Sequence, residues 1–98
     1  MLTYSEARER ILDYLNQFDN PLAITIAILD GSTQDYKWCF VFEYESKEYI
    51  ERNDEIWKLM GKSPLLISKK TGEIIELDNV PSIAEQVSEL EKKGYGKP

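Results

Sequence analysis

Six carboxylates crowd one stretch of this chain. Glu43, Glu45, Glu48, Glu51, Asp54 and Glu55 fall within thirteen residues, offset only by Lys47 and Arg52. Such a run is compatible with three kinds of chemistry. Two carboxyls held at a fixed separation across a cleft can hydrolyse glycosides, but nothing in this spacing fixes a separation. Oxygen donors also suit Ca²⁺ or Mg²⁺, yet the spacing does not follow the calcium-loop pattern. The third reading is an acidic face, either merely solvated or a docking surface for a basic partner. Complementary charge at such a surface raises association rate and specificity. Trp57, in a mostly polar stretch, is a candidate aromatic anchor because Trp is enriched at interface hot spots. Its alternative role is to close the edge of the core.

The remaining chemistry is mostly excluded. The chain has 98 residues, no histidine and one cysteine, Cys39. That removes a Ser-His-Asp triad, a His-activated thiol and imidazole metal ligands. It also removes an intramolecular disulfide and a cysteine-cluster zinc site. Cys39 lies mid-strand among aromatics, where a small core residue is the expected role. With 18 acidic and 12 basic side chains the formal charge is −6, which disfavours binding to a phosphate backbone. We therefore expect no enzyme, no metal, no cofactor and no nucleic-acid partner.

The elements that must position these residues follow from periodicity. Thr3 to Glu6 has the form of a capping box, and Tyr4, Ala7, Ile11, Tyr14, Leu15 and Phe18 then repeat at helical spacing. A helix is predicted from about Tyr4 to Gln17, ended by Asp19-Asn20-Pro21. The β-branched run Leu22 to Leu29 is a predicted strand, with Leu22, Ile24, Ile26 and Ile28 on one side. Asp30 to Thr33 is a turn. Tyr36 to Tyr44 is a predicted second strand, with Tyr36, Trp38, Phe40, Phe42 and Tyr44 facing the core and Lys37, Cys39, Val41, Glu43 and Glu45 facing away. Ser46 to Asp54 fits either more sheet or a helical turn, and Glu55 to Met60 fits a short turn closed by Gly61.

Pro64 to Ser68 and Glu73 to Leu77 are the third and fourth strands, joined by a hairpin in which Gly72 takes the position needing positive φ. Ser82 to Glu85 repeats the capping-box form and opens a last helix that stops at Gly94. The length is that of a single domain spanning 1–98, and a 42% apolar share supports a packed core. The predicted fold is α+β: an antiparallel sheet of about four strands with N- and C-terminal helices on one face. Met1 to Glu6 lacks the features of a signal peptide and no run is long enough to span a bilayer. With the unpaired cysteine, this predicts a cytoplasmic protein with no membrane association.

From Trp38 to Leu77 the chain also resembles a known bacterial family. The resemblance is carried by Trp38-Cys39-Phe40-Val41-Phe42, Ser46-Lys47-Glu48-Tyr49-Ile50-Glu51, Asp54, Leu59-Met60-Gly61, Ser63-Pro64-Leu65-Leu66-Ile67 and Lys70-Thr71-Gly72-Glu73-Ile74, with Leu2 to Ala7 at the start. It is to the immunity protein 35, or YrhB-like, family. Asn53 stands where glycine is common before the aspartate, which is mild because Asn tolerates the left-handed conformation. Lys62 and Ser68 also depart from the usual Asn and Asp. The resemblance implies a small cytoplasmic protein that binds and neutralises a cognate toxin domain of a polymorphic toxin system. An alternative role within the family is a heat-stable, chaperone-like holdase.

Overall fold

The protein is described by a computed structural model over residues 1–17, 25–58 and 63–96. Helix α1, Tyr4–Asn16, begins with a complete capping box: the Thr3 hydroxyl accepts the Glu6 N–H, and the Glu6 carboxylate accepts the Thr3 N–H. Each side chain satisfies a backbone donor that the first turn leaves free. Ala7, Ile11 and Leu15 form its buried stripe. Asp19, Asn20 and Pro21, named above as the stop signal, lie outside the described residues.

Strand β1 is Ile26–Ile28, and Leu22 to Ile24 of the predicted run lie outside the described residues. Asp30–Ser32 is a 3-10 turn, where a turn is expected. The predicted strand Tyr36 to Tyr44 is instead broken: Tyr36 to Trp38 form a bend after a short strand, and the rest divides at Glu43. Strand β2, Gln34–Asp35, turns back at Lys37 and Trp38 into β3, Cys39–Phe42, and after Glu43 the chain continues as β4, Tyr44–Ser46. Glu43 marks a change of partner. Strand β3 pairs with β2, whereas β4 pairs with β1, Ile26 opposite Ser46. The ambiguous stretch resolves as a helix, α2, Lys47–Arg52, and Glu55–Trp57 adds a 3-10 turn. The Met60 and Gly61 end of that expected turn lies outside the described residues.

Strands β5, Leu65–Ser68, and β6, Ile74–Glu76, form the expected hairpin. Gly72 has φ +77°, a conformation that side-chain-bearing residues rarely adopt. Helix α3, Ile83–Lys92, is opened by Ser82, whose hydroxyl accepts the Glu85 N–H. Among the described residues all pairings are antiparallel, in a two-stranded sheet β1-β4 and a four-stranded sheet β2-β3-β5-β6.

The α+β class and the antiparallel sheet therefore stand, but the helices do not share a face. Helix α1 packs Ala7, Ile11 and Leu15 against Phe40, Phe42, Leu65 and Ile67. Helix α3 packs Val87, with Ile83 and Leu90, against Trp38, Cys39, Val41, Leu66 and Leu77. The reason lies in β3 and β5, whose four residues each are all buried. Both faces of these central strands are apolar, so both need a cover. Trp38 and Tyr36 correspondingly join the α3 side and not the Phe40 side, because the Lys37-Trp38 bend interrupts the strand alternation.

Candidate functional site

The six central carboxylates do not form one surface. Glu45 is 2% exposed in the middle of β4, where its carboxylate accepts the Ser46 N–H at 3.0 Å. A buried side chain cannot meet a partner, so Glu45 is removed from the docking set. The change of sheet at Glu43 turns it inward. Glu43 is half-buried and lines a 160 Å³ cavity with Leu29, Tyr44, Ser63, Pro64 and Asn79. The other four lie on α2 and the turn after it.

That segment is positioned by local hydrogen bonds. The Ser46 hydroxyl caps α2 by accepting the Tyr49 N–H at 3.0 Å. Asn53 ends the helix at φ 52°, ψ 35°, and its N–H donates to the Tyr49 carbonyl. This is the left-handed geometry that a glycine would take at no steric cost. Asp54 then caps the 3-10 turn by accepting the Ile56 N–H at 3.2 Å. Glu48 points back toward β1 and accepts the Thr25 N–H. Glu51 is exposed and sits 3.8 Å from Lys47, an i,i+4 pair, of a kind that contributes only a few tenths of a kcal/mol, roughly. Glu55 is exposed. Trp57 ends the turn, and its side chain lies outside the described part of the structure.

The sequence reading missed the apolar members of this surface. Ile56 is 81% exposed and Ile50 is 46% exposed. Periodicity singles out neither, since Ile50 beside Tyr49 and Ile56 beside Trp57 stand in short elements with no apolar stripe of their own. The structure shows that α2 has no buried residue. Lys47, Arg52 and Lys58 are interleaved with Glu48, Glu51, Asp54 and Glu55, so the segment is weakly acidic and not a pure carboxylate patch. The Lys58 ammonium sits 5.8 Å from the Tyr49 ring centroid.

Cys39 is fully buried, and burial pushes its thiol up to about 12. A thiol held neutral is a packing group and not a nucleophile. Among the described residues, no three acidic or cysteine side chains converge in a way that would hold a metal ion. No helix among them is long and apolar enough to cross a membrane.

Fold and surface together define a small three-layer α+β domain that presents a capped, partly apolar segment to its surroundings. Comparison with known proteins places it more closely. The chain belongs to the immunity protein 35 family, whose model matches residues 5–91. It is 34% identical over 101 residues to the uncharacterized protein YrhB of Escherichia coli (strain K12), with all of both chains covered. No solved structure matches it.

Proposed function

We propose that this chain is an immunity protein that binds and neutralises the cognate toxin domain of a bacterial polymorphic toxin system. Its contact surface on this reading is the segment from Glu48 to Glu55 with Ile56. The observation that carries the reading is Ile56, 81% exposed beside Asp54 and Glu55 on a turn capped at both ends. Exposing a large aliphatic side chain on a segment fixed by three caps costs solvation in the free protein. A partner that buries it recovers that free energy without first ordering the segment. Family membership supplies the class of partner.

Glu51, Asp54 and Glu55 supply charge at the rim, where it affects association rate more than lifetime. With three basic residues interleaved, the steering is modest, and the weight of affinity falls on Ile56. The reading assigns no catalytic step to this chain. The holdase alternative gains nothing from the exposed apolar residues. Met1, Tyr4, Ile50, Ile56, Val80 and Tyr95 are spread over several elements, whereas capture of unfolded clients calls for a broad contiguous patch.

The test is co-expression. The C-terminal domain of a large secreted protein encoded beside this gene should arrest growth when expressed in the cytoplasm. This chain should restore growth and co-purify with that domain at equal stoichiometry. Undiminished toxicity in the presence of folded protein would overturn the proposal.

A further inference from the structure

Strand β6 ends the four-stranded sheet, and its outer side meets no strand among the described residues. Against β5 it pairs Glu76 with Leu65, Ile75 with Leu66 and Ile74 with Ile67. Beyond these, Ser68 N–H donates to the Glu73 carbonyl and Leu77 N–H to the Pro64 carbonyl, both at 2.9 Å. In an antiparallel pair, positions that exchange hydrogen bonds alternate with positions that do not. Glu73, Ile75 and Leu77 therefore direct their backbone groups to β5. Ile74 and Glu76 direct theirs outward, and no described residue bonds to them.

The side chains along this edge are acidic and exposed: Glu73, Glu76 and Asp78. On the α3 side of the sheet the edge borders a cleft of about 690 Å³, lined in part by Trp38, Ile75 and Tyr95, with Lys37, Lys70 and Glu73 also contributing. The cleft wall is fixed in place. The Trp38 indole N–H donates to Glu91 at 2.9 Å, and a Cβ on Gly96 would lie 2.6 Å from the Trp38 ring. Glu73 and Ile75 belong to both the edge and the cleft, so a strand laid along β6 places its own alternate side chains over that cleft.

We propose that the β6 edge is a strand-addition site for an extended segment of a partner protein, basic along the edge and carrying one apolar side chain that enters the Trp38 cleft. Main-chain hydrogen bonds supply affinity in this mode, and the pocket for an alternate side chain supplies specificity. Charge selects the occupant. A second copy of this chain would set Glu76 and Asp78, which share one face of β6, against the same two residues, and like charges opposed across a ladder destabilise it. A lysine- or arginine-bearing strand converts that repulsion into attraction. The surface is separate from the α2 segment: Trp38 precedes β3, whereas α2 follows beyond its other end through Glu43 and β4. It calls for no particular toxin and stands apart from the immunity reading.

The probe is the blocked heptapeptide acetyl-Lys-Val-Lys-Leu-Lys-Val-Lys-amide, titrated into the ¹⁵N-labelled full chain. The expected result is a shift of the Ile74 and Glu76 amide resonances, with their hydrogen exchange slowed at least about tenfold at saturation. The Glu76→Pro variant deletes an outward N–H at an edge position, where proline is tolerated. It should weaken the peptide by roughly tenfold, and Glu76→Thr, which keeps the donor, by less. If Glu76→Pro does not fold, a peptide N-methylated at alternate residues tests the same bonds on the wild-type protein and should not bind. The proposal is overturned by unmoved Ile74 and Glu76 resonances at millimolar peptide. It is equally overturned if a glutamate-for-lysine peptide binds as well, or if these amides become protected with rising protein concentration alone, which marks a second copy.

Discussion

The Lys69 ammonium donates to Asp35 at 2.6 Å and to the Tyr36 carbonyl at 2.5 Å while lying 4.5 Å from the Phe40 ring centroid. A residue at a hairpin tip thus ties three strands together. Its backbone N–H also bonds the Trp38 carbonyl, and its own carbonyl accepts the Leu2 N–H. The Lys69 side chain is only 14% exposed, so its loss leaves the Tyr36 carbonyl poorly solvated. Lys69→Met should lower stability by roughly 1–3 kcal/mol, whereas Lys70→Met on the exposed neighbour should change it by less than about 0.5 kcal/mol. Urea unfolding of the two variants checks the contrast.

Cys39 should be chemically silent in the folded protein. It is fully buried and its thiol is raised to about 12 by burial, so almost no thiolate forms near neutral pH. A thiol-reactive chromogen should label it only in denaturant, at a rate set by unfolding. Rapid native labelling would show that β3 is not sandwiched between the two helices.

Arg8 and Tyr4 of α1 hold Asp30. The Arg8 guanidinium bonds both carboxylate oxygens, at 2.8 and 3.1 Å, and the Tyr4 hydroxyl donates at 2.6 Å. The Arg8 bond first, then that of Tyr4, holds the Asp30 carboxyl below the usual carboxylate range. A folded pKa below the unfolded one means stabilisation that is complete above about pH 4 and lost as pH falls through the folded value. The side chains are 37% and 53% exposed, so the pair contributes at most about 1 kcal/mol after solvent screening. Asp30→Asn should therefore melt a few degrees, ~4–8 °C at most, below wild type near neutral pH. The gap should close well below about pH 4, as scanning calorimetry can read.

Asn53 tests the cap of α2. At φ 52° and ψ 35°, Asn53→Gly should be nearly neutral, because glycine takes this conformation without a Cβ penalty. Asn53→Val should cost roughly 1–2 kcal/mol, since a β-branched residue is strained there. Thermal melts of both variants separate the outcomes.

Much of the scaffold is legible in local signals. The Thr3–Glu6 box, the Gly72 hairpin and the Ser82 cap are short-range, and each sits where its residues place it. The layering depends on long-range pairing and is less legible. Alternation from Tyr36 to Tyr44 suggests one apolar face, and only the continuous run Leu65-Leu66-Ile67 signals a strand buried on both sides. Reading that run against Cys39 and Val41 would have moved α3 to the opposite face. The candidate surface is half legible. Glu51, Asp54 and Glu55 are exposed as an acidic stretch implies. Glu45 is buried and Ile56 exposed because the change of sheet at Glu43 and the left-handed turn at Asn53 reset which residues face out.

The proposed docking of a toxin domain on Ile56 and its acidic rim is tested most directly by the kinetics of binding to that domain at low and high salt. Ile56→Ala, on a side chain that packs against little in the free protein, should leave the melting temperature unchanged. It should raise the dissociation rate at least about tenfold, the effect of losing one anchor of roughly 1.4 kcal/mol. Glu51→Lys with Glu55→Lys should slow association at low salt, with a smaller effect at high salt. Wild-type rates in both variants, in a protein that still binds the toxin domain, would contradict the account and move the interface elsewhere on the fold.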